Sequence, residues 1–126
     1  MSGRKTLMFL AIAVIASVFC LSLPVFAEDH WSGTWSSEWG DMHLAVKGNA
    51  LTGTYTHKEG VLKGSLADEG KTIRGTWSQA PTHKPEKDAG AFVFIISSDG
   101  NSFTGKWWYG FDTSKKPDGT WSGTRK

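Results

Sequence analysis

Eight side chains in this sequence have the types and spacing that could wall a small-molecule site: Ser37, Trp39, Tyr55, His57, Trp77, Trp107, Tyr109 and Trp121. Four indoles and two phenols supply apolar faces with polar tips, and an imidazole and a hydroxyl add placed hydrogen-bonding groups. Catalytic signatures are missing. There is no Gly-x-Ser-x-Gly elbow, phosphate loop or dinucleotide glycine fingerprint. His30, His43, His57 and His83 stand far apart without metal-ligand spacing, and Asp68-Glu69 reads as a pair of turn residues. The chemistry on offer is non-covalent binding by a non-enzyme, with no metal or cofactor expected. A plainer reading stands beside it: the tryptophans are core, and His57 is an ordinary rim histidine.

These residues are positioned by a phrase, apolar-x-Gly-x-large, that occurs six times. It reads Trp31-Ser-Gly33-Thr-Trp35, Leu51-Thr-Gly53-Thr-Tyr55, Leu62-Lys-Gly64-Ser-Leu66, Ile73-Arg-Gly75-Thr-Trp77, Phe103-Thr-Gly105-Lys-Trp107 and Trp121-Ser-Gly123-Thr-Arg125. Side chains alternate across a strand, so the first, third and fifth positions share one face. That face reads large, nothing, large, and the other carries Thr, Ser, Lys or Arg. The pattern predicts a small closed barrel whose glycines bend the strands or leave room inside.

Eight segments have strand character: 31–39, 41–47, 50–57, 60–67, 71–78, 91–97, 102–110 and 119–126. Gly48-Asn49 and Asp99-Gly100 are hairpin turns, and Glu69-Gly70 is a weaker third. Pairing across them sets Val46 opposite Leu51, Leu66 opposite Ile73 and Ile96 opposite Phe103, with all apolar sets in phase. The expected fold is all-β, an eight-stranded antiparallel up-and-down meander barrel. The three tight turns share one end. The other end receives Lys58-Glu59-Gly60 and two long segments, 79–88 and 111–118, that read as flexible surface loops. Near that open end parity turns the eight wall residues inward. Near the closed end it turns Trp31, Val46, Leu51, Leu66, Ile73, Ile96, Phe103 and, unexpectedly, Arg125 inward. Outside, Val93, Ile95 and Trp108 form an apolar patch suited to a homo-oligomer contact, unless a loop covers it.

The first 27 residues read as a secretory signal peptide: Arg4 and Lys5, an apolar run from Leu7 to Leu23, Pro24, and cleavage after Ala27. A retained single-span anchor is the alternative. Cys20 follows the bulky Phe19, which argues against lipidation, and no cysteine follows the leader. A single domain over 28–126 is then expected, secreted or periplasmic, with no membrane association after cleavage. Losing Arg4 and Lys5 leaves 12 basic residues against 12 acidic ones. That balance argues against nucleic acid as a partner.

The stretch from Gly33-Thr-Trp35 through Trp39-Gly40-Asp41 to Leu51-Thr-Gly-Thr-Tyr55 resembles the first three strands of the avidin and streptavidin family. Phe103-Thr-Gly-Lys-Trp107 looks like a later strand. The resemblance covers about residues 32–57 and implies an avidin-like or calycin-like barrel, tetrameric as a rule, with biotin as a candidate ligand. By position it gives Tyr55 the role of a tyrosine that bonds the ureido oxygen. Ser37, Asp41 and His57 stand where the family has an asparagine and two serines, and a carboxylate at Asp41 would repel a carbonyl oxygen. Trp77 and Trp107 are candidate counterparts of the aromatic wall. Two functions follow: a small-ligand-binding barrel, or an envelope protein-interaction module such as an enzyme inhibitor with a filled barrel. A bare structural spacer is a third.

Overall fold

The computed structural model describes residues 29–126, so the predicted signal peptide lies outside the described residues. Eight antiparallel strands close into one barrel in chain order: β1 (Gly33–Ser37), β2 (Gly40–Lys47), β3 (Ala50–Tyr55), β4 (Gly60–Ala67), β5 (Thr72–Ser78), β6 (Ala89–Ile96), β7 (Ser102–Trp107) and β8 (Gly119–Arg125). The up-and-down meander is as expected. So are the registers, with Val46 opposite Leu51, Leu66 opposite Ile73 and Ile96 opposite Phe103. Any slip by one residue would turn these apolar rows outward.

The glycines of the repeated phrase are mostly filled spaces. A methyl group on Gly53 would meet Leu44 at 2.5 Å, on Gly64 Ile73 at 2.9 Å and on Gly105 Phe94 at 2.6 Å. On Gly123 it would strike Phe103. In each case a large side chain of the adjacent strand leans over the bare backbone, joined at Gly64 by the Arg74 carbonyl and at Gly105 by the still nearer Val93 carbonyl. Gly75 differs: it faces Gly64 across the β4–β5 ladder, and a methyl there would collide with the Lys63 carbonyl and the Gly64 Cα. The strands approach so closely only because neither residue has a side chain.

Aromatic rings fill the closed end. Trp31 is fully buried although it precedes β1 instead of lying in it. Its ring lies 6.0 Å from those of Trp35 and Phe103, and 6.4 Å from Phe94. Its Nε1–H donates to the Gly70 carbonyl at 2.8 Å, and its own carbonyl accepts from Trp35 Nε1 at 2.8 Å. The predicted first strand, 31–39, is thus shorter, and its first residues form a plug. Arg125 resolves in the same way. It is exposed and caps the closed end, with its guanidinium 4.3 Å from the Trp35 ring centre. It donates to the carbonyls of His30 at 2.6 Å and Ser32 at 3.1 Å.

The two long loops are pinned at several points. In 79–88, Gln79 N–H donates to Asp88 O at 2.9 Å and Ala80 N–H to Lys58 O at 2.8 Å. The Asp88 carboxylate accepts from Thr82 Oγ1 at 2.7 Å. In 111–118, the Lys115 carbonyl accepts from Trp108 Nε1 at 2.8 Å, and Asp118 accepts from Tyr109 N–H at 2.8 Å. Trp108 is therefore buried under this loop and leaves the predicted exterior patch. Val93 is half-buried and Ile95 remains 54% exposed.

Gly75→Ala is expected to lose about 1–3 kcal/mol of stability in urea unfolding, because backbone cannot yield as a side chain can. Gly48→Asn, at an open turn with φ 62°, is expected to be near neutral.

Candidate functional site

At the open end the aromatic filling stops short of the rim and leaves a recess of about 130 Å³. Its wall is formed by Trp39, Tyr55, Trp77, Trp107, Tyr109 and Trp121, with His57, Lys58, Gln79 and Lys87 adding polar groups. Trp121 links it to the core, since its ring lies 5.2 Å from Phe94 and 5.1 Å from Tyr55. The upper rings meet edge to face. Trp77 and Trp107 are 5.9 Å apart at 89°, Trp39 and Trp107 6.1 Å apart at 84°, and Trp107 and Tyr109 4.9 Å apart at 88°. Such T-shaped pairs hold one another in orientation.

Local backbone explains each placement. Tyr55 ends β3 opposite Gly60, the first residue of β4, and its ring lies over that glycine so closely that no Cβ could be accommodated. Trp107 ends β7 opposite Gly119, where a methyl group would come within 2.6 Å of the indole nitrogen. Trp77, on β5, donates Nε1–H to the Trp108 carbonyl at 3.1 Å. Trp39 and His57 were predicted on strands but lie in the adjoining turns. Trp39 sits between β1 and β2, and His57 opens a 3-10 turn, His57–Glu59. The His57 N–H donates to the Trp39 carbonyl at 3.0 Å, and their rings are 5.0 Å apart. Tyr109 lies beyond the end of β7 and is 40% exposed.

Two of the sequence candidates do not line the recess. Ser37 donates its hydroxyl to the Gly40 carbonyl at 2.8 Å and so closes the turn around Trp39. Asp41 precedes the inward-facing Met42, and strand alternation turns it to the outer surface. There its carboxylate lies 2.7 Å from Lys126 Nζ. Three wall residues went unpredicted: Lys58, Gln79 and Lys87. All come from the turns and the long loop at the open end, where no periodic pattern exists. Lys58 has a left-handed backbone, φ 49°. The only signal was a lysine-rich loop arriving at the rim.

Tyr55 is the best-defined polar group. It is buried, and its hydroxyl donates to Gln79 Oε1 at 3.0 Å, leaving the phenolic oxygen free to accept. Burial pushes its pKa well above the ordinary 10.0. Among the described residues no group of three or more His, Cys, Asp or Glu side chains is placed to hold a metal ion. Comparisons with protein-family models, with curated proteins and with solved structures give no match to this chain.

The raised tyrosine pKa has a definite sign. Above pH 10.0 the unfolded chain has released the phenolic proton while the folded chain retains it, so stability is full below that pH and falls as pH rises beyond it. Tyr55→Phe is expected to remove this component. The difference in unfolding free energy between wild type and variant should shrink above pH 10.0, by up to about 1.4 kcal/mol per pH unit. Parallel urea titrations at neutral and alkaline pH check it, and an unchanged difference would place the Tyr55 hydroxyl in contact with solvent.

Proposed function

We propose that this protein is an exported, non-enzymatic β-barrel that binds a small ring-sized ligand at its loop-rimmed end. The observation that supports this reading best is the recess of about 130 Å³, walled by aromatic rings and open to solvent above the packed core. Its volume approaches that of an engineered apolar cavity, about 150 Å³, that admits benzene. It falls short of the roughly 300 Å³ at which drug-sized pockets begin. One ring fits inside, and any larger substituent must reach out between the loops. Pinned loops favour binding, because little ordering is left for the ligand to drive.

Biotin is a ligand to test on account of the avidin resemblance. Tyr55 and His57 line the recess as that reading needs, whereas Ser37 and Asp41 do not. Gln79, beside Tyr55, is the polar group that stands nearer to such a role. Ile95, exposed on the outer face beside Val93, is the observation that favours the second reading, a protein-interaction module or a contact between copies of this chain.

The test is tryptophan emission of the purified protein during titration with biotin and, separately, with toluene, joined to crystals held under xenon. Xenon density in the recess and a saturable emission change with at least one ligand are expected. Trp39→Ala should weaken that ligand by about 0.5–1.5 kcal/mol, an aromatic contact's worth. Flat traces together with a recess that excludes xenon would overturn the ligand reading and favour the protein-interaction one.

A further inference from the structure

We infer that the outer face of β5–β8 is a docking surface for an acidic protein segment with an apolar anchor. The inference stands apart from the recess and does not depend on a ligand binding there.

Its starting point is where the carboxylates lie. Strands β3 to β8 contain no aspartate or glutamate, yet they carry Lys63, Arg74, Lys106 and Arg125. Asp41 on β2 is the one acidic residue in any strand, and the other carboxylates among the described residues lie in turns, loops and the segment before β1. Arg125 is taken up by backbone carbonyls at the closed end. Ile73, Phe92, Phe94 and Phe103 are buried in the core, so strand alternation turns Arg74, Val93, Ile95, Thr104 and Lys106 outward.

The register then gathers these outward residues. Arg74 pairs with Val93 across β5 and β6, and Val93 pairs with Lys106 across β6 and β7. The two cations therefore flank one valine, two strand spacings or about 10 Å apart. Ile95, 54% exposed, stands in the next outward row, between Thr72 and Thr104. Arg74, Val93, Ile95, Thr104 and Lys106 line one groove of about 510 Å³. Among the described residues neither cation has a carboxylate at ion-pair distance. Glu38 reaches the β8 border of this face, but both its oxygens are held there, by the Ser122 N–H at 2.9 Å and the Ser122 hydroxyl at 3.1 Å.

Charge complementarity selects the occupant. A twofold contact between copies would set this cationic face against itself. A head-to-tail contact would need an acidic strand face with charge to spare, whereas Glu38 is engaged by Ser122 and Asp41 by Lys126. A nucleic acid would lay charged phosphates over Val93 and Ile95 and give them no apolar contact. A protein segment with carboxylates on either side of an aliphatic side chain meets both the cations and the apolar centre. Exposed charges of this kind favour specificity and rapid encounter over tight binding, so the contact is a weak, reversible one.

Amide chemical shifts of the isotope-labelled protein, followed by NMR during titration with the peptide Glu-Glu-Leu-Leu-Glu-Glu, test this. Saturable shifts are expected at Arg74, Val93, Ile95 and Lys106, and not at the recess residues. The peptide Glu-Glu-Ser-Ser-Glu-Glu should bind about three- to tenfold more weakly, for want of the anchor. Lys-Lys-Leu-Leu-Lys-Lys should leave these amides unmoved. Arg74→Gln/Lys106→Gln, both at exposed positions, should weaken the acidic peptide about two- to thirtyfold, and added salt should weaken it on wild type. Equal binding of the serine peptide overturns the apolar anchor, and equal binding of the lysine peptide overturns the acidic partner. No shift, or shifts at the recess alone, overturns the docking surface. Shifts of the same amides with protein concentration alone assign the face to a second copy instead. Shifts caused by duplex DNA or by phosphatidylserine vesicles, but not by the acidic peptide, assign it to those surfaces; either result overturns the inference.

Discussion

The structure depends on large side chains laid across glycine on the neighbouring strand. A small eight-stranded barrel has an interior just wide enough for side chains, and the core rings of Trp31, Trp35, Trp77, Trp121, Phe92, Phe94 and Phe103 would overfill it if every position carried a Cβ. Glycine removes the obstruction where a ring must lie. Phe103 over Gly123, Phe94 over Gly105 and Leu44 over Gly53 are instances of one arrangement, repeated around the wall. It serves packing and register together, because a strand displaced by one residue would set a ring against a Cβ. Without disulfides in the described residues, this interlocking carries the stability that aromatic burial can supply.

The two ends of the barrel differ in what lies on the axis. The closed end receives a plug from outside the strands, Trp31, held by the Gly70 carbonyl and covered by Arg125. No equivalent reaches the axis at the open end among the described residues. There Tyr55 and Trp107 lie against the wall over Gly60 and Gly119, so their rings line the space without occupying it. The recess is a consequence of the same ring-over-glycine rule, applied where no plug follows.

Much of this was legible because glycine and large residues alternate with a strict period of two. Leu44 opposite Gly53 and Phe94 opposite Gly105 are pairings that the residue pattern specifies in one register only, and they are found. Tyr55, Trp77, Trp107 and Trp121 follow from the same alternation, since all four lie on strands and reach the recess. Alternation ends where strands end. Trp39 and His57 reach the wall through turns, and Lys58, Gln79 and Lys87 from segments outside the strands, which no periodic pattern encodes. Asp41 shows the opposite failure. Its candidacy came from family position alone, and the alternation that turns Met42 inward turns Asp41 to Lys126 outside. For Trp108 the sequence left two outcomes open, a bare apolar patch or a covering loop, and the loop is found, because the contact with Lys115 depends on a loop path that no pattern encodes.

Loop attachment bears directly on what a ligand would meet. Loops at a barrel mouth commonly move, and a mobile rim must be ordered at the expense of affinity. Here the 79–88 loop is tied to Lys58 and closed on itself through Asp88, while 111–118 is clamped by Trp108 and Tyr109. Gln79, fixed at the base of the first loop, is in turn the acceptor for Tyr55. The polar groups of the wall are therefore oriented by the same bonds that hold the loops. The rings are oriented by their edge-to-face neighbours, so wall and rim are set before any ligand arrives. A site so constrained discriminates by shape and by the position of a few polar groups, the Tyr55 hydroxyl and its partner Gln79 foremost.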